Sequence, residues 1–278
     1  MIQKSTPYLE TLFDEKAAFV LDSGAFNRFH RNLNVVGRLR ELFHRTPSSY
    51  RELNLLGRDI ERESVHQCKL ASFIGQRRNA FTTRGIVAEL ADYLRIIRQF
   101  KGAQDRLPKY LAEPVEYLRR GVSYLLTQCN TFAVPSGLRV IQDHQEKFNA
   151  YFRWLNQLAE YERQEKQKED ARILAKLRSL GDMKEYERKR IKMSHTPNRI
   201  NDNYLIALSL VSAFNEPTIL FSDDAGHVER PVKEMQGTFP IPKELEATRP
   251  QMPPHFYAIY IGSHAIWNMR VESKPLVS

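Results

Sequence analysis

The sequence predicts an α/β protein with a central, mainly parallel sheet and a large helical insertion. Three observations carry this. Short apolar, β-prone runs lie near both ends of the 278-residue chain: "AAFVL" (17–21), "AFTT" (80–83), "TILFS" (218–222) and "FYAIYIG" (256–262). Strands alternate with helical patterns at both ends, as parallel sheets require. Between them, from Lys101 to His195, the chain reads as largely helical.

The first strand, Ala17 to Leu21, stops at Asp22, with Ser23 and Gly24 behind it. A mainly helical stretch is expected from about Ala25 to His66, where Phe26, Phe29, Leu33, Val36, Leu39 and Leu42 recur at helical spacing. Pro47 cannot continue that helix, and Ser48 or Ser49 can cap the next. "CKLASFI" (68–74) fits a short strand or a continuing helix. After "AFTT", Thr83 can cap a helix whose apolar face includes Val87, Leu90, Leu94 and Ile97, with Glu89 in its first turns.

In the helical middle, "EYLRRGVSYLLTQCNTFAV" is expected to stop at "PSG" (135–137). A longer helix then enters "EYERQEKQKED", an almost wholly charged run that fits a solvated face or a projecting hairpin. "RSLGDM" can form the hairpin turn, with Gly181 ending the first arm. Pro197 breaks the pattern. "NDNYLIALSLVSAF" is a short apolar helix, and "TILFS" is a strand that runs into Asp223 and Asp224. A Pro-rich stretch, "FPIPKELEATRPQMPPH", precedes the last strand. There is no internal repeat.

Composition narrows the function. Lys and Arg total 42 against 33 Asp and Glu, a net charge of +9, which favours polyanionic partners, nucleic acid first. Cys68 and Cys129 form no CxxC or Cys/His cluster, so neither a structural zinc site nor a disulfide scaffold is expected. The N-terminal "MIQKSTPYLETLFDEK" has no apolar core of a signal peptide, and no stretch approaches the roughly 20 apolar residues that span a bilayer. A cytoplasmic protein with no membrane partner is the expectation.

Acids recur where a parallel sheet gathers them. Asp22 follows one strand, and Asp223 and Asp224 follow another. Glu89 lies early on a helix after a β-prone run, and Asp202 opens the apolar helix. In neighbouring parallel strands the carboxyl ends share one edge, and so do the helix starts that follow them. Carboxylates packed there repel one another unless a cation neutralises them. A set of oxygen ligands without Cys or His favours a hard ion, Mg2+ or Mn2+. Such an ion lowers the pKa of bound water and stabilises charge on a phosphodiester under attack. Each acid has a plainer reading as well: Asp22 and either Asn201 or Asp202 as helix caps, and Glu89 as a partner of the helix dipole.

In order and context these motifs resemble the PIN-domain family of metal-dependent ribonucleases. "FVLDSGAF" looks like the family's first motif with Asp22 as its Asp, and "TTRGIVAELADYL" like the second with Glu89. "NDNYLIALSL" is similar to the third with Asp202, and "TILFSDDAGHV" to the fourth, with Ser222 as the hydroxyl residue and Asp224 as the acid. Ser23–Gly24 stands where Thr–Asn is commoner in the family. The resemblance implies a PIN-like three-layer nuclease core over 1–100 and 197–278, with 101–196 as the helical insertion. It implies catalytic Asp22, Glu89, Asp202 and Asp224, and Mg2+ or Mn2+ held by Asp22, Asp202 and Asp224, with Asp223 a possible further ligand. It also implies RNA as the favoured nucleic acid, toxin, RNA-processing or defence roles, a protein inhibitor or complex partner, and a homodimer.

Ser23, Ser222, Arg84 and Arg78 are the candidates for contact with substrate, Ser23 also to orient a ligand water; Arg77 adjoins them. Solvated arginines are the alternative for these guanidinium groups. His195 and His227 flank the last two motifs. The run 184–192, "KEYERKRIK", can lie on RNA or form a solvated helix face. The aromatics of "WLNQLAEYE" fit packing. The alternative to an enzyme is a non-catalytic PIN-like scaffold that binds RNA or a partner protein through its helical insertion.

Overall fold

In the computed structural model of the protein, the apolar runs pair into one parallel sheet. The structure describes residues 17–26, 50–77, 79–101, 109–193, 199–222, 234–235, 237, 241–253 and 256–260. The strands are β1 (Ala18–Leu21), β2 (Ala80–Phe81), β3 (Thr218–Ser222) and β4 (Phe256–Tyr260), in the order β2-β1-β3-β4. The register pairs Phe19 with Ala80, Leu21 with Phe221, and Ser222 with Tyr260. All of β1 and β3 is buried, so both faces of the central pair are covered, which explains why these strands read as continuous apolar runs. Phe19 stacks on Phe221 at 5.8 Å and meets Phe73 edge-on at 5.1 Å. The α/β class is as expected.

The chain leaves β1 for β2 on one side and returns to β3 on the other. Strand order therefore reverses between β1 and β3, and open α/β sheets bind ligands in the crevice at such a reversal.

Nine helices occur among the described residues: α1 (Ser23–Phe26), α2 (Tyr50–Gln76), α3 (Arg84–Lys101), α4 (Lys109–Gln128), α5 (Val134–Asp143), α6 (Gln145–Ser179), α7 (Met183–Met193), α8 (Ile200–Ser212) and α9 (Lys243–Ala247). "CKLASFI" continues α2 and is not a strand. The helix expected over 25–66 appears as α1 and α2; its middle, with Phe29, Leu33, Val36, Leu39 and Leu42, lies outside the described residues. None of these helices is long and apolar enough to cross a membrane.

The expected stop at "PSG" is not there. A π-helical turn, Cys129–Ala133, joins α4 to α5, and the Val134 N–H bonds the Cys129 carbonyl five residues back. Pro135 then falls in the first turn of α5, where its fixed φ suits the helix. Gly137 follows at the closest approach of α5 to the sheet: a Cβ there would sit 2.9 Å from the Thr82 carbonyl oxygen and 3.2 Å from Leu208 Cδ2.

Helices α4 and α5 and the first half of α6 share one apolar cluster with the sheet, through Leu111, Leu118, Leu125, Trp154 and Leu158 among others. The Trp154 indole N–H donates to the Leu245 carbonyl at 2.9 Å, which docks α9 on α6. Both cysteines are free thiols; burial pushes the Cys129 thiol up to about 12, whereas Cys68 is exposed.

Past Tyr161, α6 leaves this core and turns back as α7, the expected hairpin. The Asp182 N–H bonds the Leu177 carbonyl and the Gly181 N–H bonds the Arg178 carbonyl, with Gly181 at φ +72°. These two bonds form a Schellman stop. Asp182 then caps α7 by accepting the Glu185 N–H at 3.1 Å.

Replacing a helical glycine with alanine usually stabilises. Gly137→Ala is expected to do the opposite, lowering stability by about 1–3 kcal/mol, because the methyl meets backbone that cannot give way. Urea unfolding of both proteins measures the difference.

Candidate active site

The site is built at the reversal between β1 and β3. Asp22 stands one residue past β1, and its N–H continues the ladder by donating to the Phe221 carbonyl at 3.0 Å. Its carbonyl accepts the Ala25 N–H at 2.9 Å, which starts the short helix α1. The carboxylate accepts the Ser23 N–H on Oδ1 at 2.6 Å and the Ser222 hydroxyl on Oδ2. Ser222 is the last residue of β3, so one side chain joins the carboxyl ends of both central strands.

The third strand is tied in nearby. The Thr82 hydroxyl donates to the Leu21 carbonyl at 2.9 Å. Thr83 caps α3 through its hydroxyl on the Ile86 N–H and its carbonyl on the Val87 N–H. Glu89 follows about one and a half turns into this helix. Its carboxylate lies beside the Ser23 and Asn201 side chains, which favour its charged form, and feels the charge of Asp22. Glu89 is exposed as a residue, but crowding at its carboxyl end raises its pKa above the ordinary value. Desolvation is the largest cause and the Asp22 charge adds to it, while the bonds to Ser23 and Asn201 oppose both.

Asn201 is the residue that carboxylate patterns overlooked. The cap of α8 is Arg199, so Asn201 and Asp202 both lie inside its first turn, and neither caps it. The Asn201 amide rests over Gly85, where a Cβ would sit 2.4 Å from its Oδ1. The only sequence signal was a polar residue beside an acid at the start of an apolar helix.

Asp202 is half-buried one position further on, where its charge suits the N-terminus of α8. Among the described residues no group of three or more Asp, Glu, His or Cys is arranged to hold a metal ion. The acids brought together are thus Asp22 and Glu89. Asp223 and Asp224 lie outside the described residues, as do Arg78, His195 and His227. Of the two expected serines, the Ser23 hydroxyl faces Glu89 and the Ser222 hydroxyl faces Asp22.

The arginines separate by edge. Arg84 opens α3 on the carboxyl edge, is exposed, and lies near the Tyr204 hydroxyl of α8. Arg77 sits before β2 at the opposite edge, with its guanidinium over the Phe19 and Phe73 rings at 5.2 and 5.3 Å. It braces the core through these rings.

Helix α2 holds the turn that bears Asp22. His66 Nε2 lies 2.9 Å from the Ala25 carbonyl, and the Gln67 amide donates to the Phe26 carbonyl and to Glu63 Oε1. These buried groups hydrogen-bond the Ala25 and Phe26 carbonyls of α1. Burial and the Glu63 charge raise the Tyr93 phenol well above its usual range.

The fold and site define an α/β protein with a carboxylate pair at the switch point of a parallel sheet. No protein-family model matches the chain, and neither the curated proteins nor the solved structures contain a match to it.

The raised pKa of Glu89 has a stability consequence. The folded state binds the Glu89 proton more tightly than the unfolded chain does, so this group lowers stability as pH rises from the ordinary carboxylate range through the folded value. With chelator present, Glu89→Gln is expected to unfold at higher denaturant than wild type at pH 7, and at the same concentration near pH 4. Equal midpoints at pH 7 would contradict the crowding described.

Proposed function

We propose that the protein is a metal-dependent nuclease of PIN-like architecture, acting on RNA. The observation that carries this reading is the pairing of Asp22 with Glu89 at the β1–β3 reversal. Two acids of like charge, one with a raised pKa, lie among three neutral polar residues: Ser23, Ser222 and Asn201. Such an arrangement costs stability, and active sites are where that cost recurs. The order of motifs around it supports the family assignment.

The donors available, carboxylate, hydroxyl and amide oxygens, suit Mg2+ or Mn2+. Asp22 and Glu89 would hold the ion, with Asp202 and Asp224 as the further ligands that the motif order suggests. When bound, the ion supplies an activated water and charge stabilisation at the phosphodiester. The chain's own part is orientation. Ser222 and the Ser23 N–H fix the plane of the Asp22 carboxylate, and Asn201 lies beside that of Glu89. Arg84, exposed on the same edge, can pair with a phosphate.

The test is cleavage of a labelled single-stranded RNA in Mn2+ by wild type and by Asp22→Asn. Wild type is expected to cut, and the folded variant to lose at least about 100-fold in rate, on the scale of other removed catalytic groups. Equal rates would end the assignment of Asp22. Absence of cleavage by both would leave the protein without the proposed activity on this substrate.

A further inference from the structure

The outer part of the α6–α7 hairpin belongs neither to the core nor to the carboxylate site. Its position comes from the packing of α6 against α8. From the cap of α8 onward, Arg199 pairs with Glu162, Asn203 bonds Asn156, and Tyr204 meets Phe148 and Phe152; just past its end Asn215 meets His144. Rising numbers on α8 meet falling numbers on α6, so the two helices run antiparallel. The start of α8, where Asn201 and Asp202 lie, therefore faces Glu162. Everything on α6 beyond it projects past the carboxyl edge of the sheet, by about 25 Å at 1.5 Å per residue. The arm stands beside the site.

Its charge is segregated. From Glu160 to Asp170 there are five acids and three cations; from Arg172 to Lys192 there are eight cations and three acids. All three distal acids are committed within the arm: Asp182 caps α7, Glu185 pairs with Arg188 at 3.0 Å, and Glu187 with Arg190 at 3.1 Å. Arg172, Lys176, Arg178, Lys184 and Lys189 pair with no acid among the described residues, and all but Lys189 are exposed. Arg172 and Lys176 are one helical step apart on one face. A hairpin that served only as a solvated strut has no reason to hold five unmatched cations in its outer part and acids at its base.

We infer that the distal arm is a phosphate-backbone clamp that holds single-stranded RNA beside the Asp22–Glu89 edge. This rests on the nuclease reading for the choice of RNA, and it extends that reading by naming the surface that grips the strand. Backbone contacts of this kind are electrostatic and weaken steeply with salt.

The experiment measures binding apart from cleavage. Full-length protein is titrated into a fluorescein-labelled single-stranded RNA in EDTA, and anisotropy is read from 50 to 200 mM salt. One variant replaces Arg172, Lys176, Arg178, Lys184 and Lys189 with Gln. A second keeps the charges by exchanging Arg and Lys at the same positions. The neutral variant is expected to bind at least about tenfold more weakly, with a shallower salt dependence, by about 0.7 in slope for each phosphate it no longer neutralises. The charge-preserving variant is expected to bind as wild type. Unchanged binding by the neutral variant overturns the clamp whatever the nuclease assay shows. Failure of wild type to bind RNA at 50 mM salt also overturns it, leaving an acidic protein as the arm's partner. Arm-dependent binding without cleavage in Mn2+ leaves the clamp standing and removes the nuclease.

Discussion

A carboxylate at the end of a fully buried strand must find donors from its neighbours, because β1 offers it none once the ladder ends. Asp22 finds them in the Ser23 N–H and the Ser222 hydroxyl. Ser222 can reach it only because β3 lies beside β1 in the register that sets Leu21 against Phe221. That register in turn needs both faces of β1 and β3 covered, which the aromatic stack of Phe19 and Phe221 and the surrounding helices provide. The site and the core are therefore one problem: a shift of β3 by a single residue would turn over its side chains and separate Ser222 from Asp22.

The same dependence runs through the helices. From α2, His66 and Gln67 hold the Ala25 and Phe26 carbonyls of α1. The start of α8 brings Asn201 to Glu89, and Gly85 leaves space for it. Polar groups buried in this way are stable only as a connected set. Truncation of Gln67 would loosen the turn at Asp22 without touching either acid.

Much of this was legible from residues alone, for reasons that differ by element. Ala18–Leu21 and Thr218–Ser222 were legible because a strand buried on both faces has no choice but a continuous apolar run. The hairpin was legible because Gly181 followed by Asp182 carries a stop and a start in two residues. The joint at Cys129–Ala133 was not, because Pro135 signals a stop equally well whether a helix ends there or restarts in its first turn. Glu89 was legible as an acid on a helix after a strand. Asn201 was not, since an amide beside Asp202 reads as a cap and its value lies in a partner 112 positions away in sequence. The edge on which Arg77 sits was equally hidden: only pairing of Phe19 with Ala80 places it opposite the acids.

Helix α6 is a single rod of 35 residues, clamped over its first half and free of the core over its second. Mechanically it is a lever. Its fulcrum is the contact with the start of α8, where Glu162 meets Arg199 and Asn156 meets Asn203. A load on the outer half exerts a torque there, within one turn of helix of Asn201. The Asn201 amide, beside Glu89, thus stands where any bending moment from the arm enters the body of the protein.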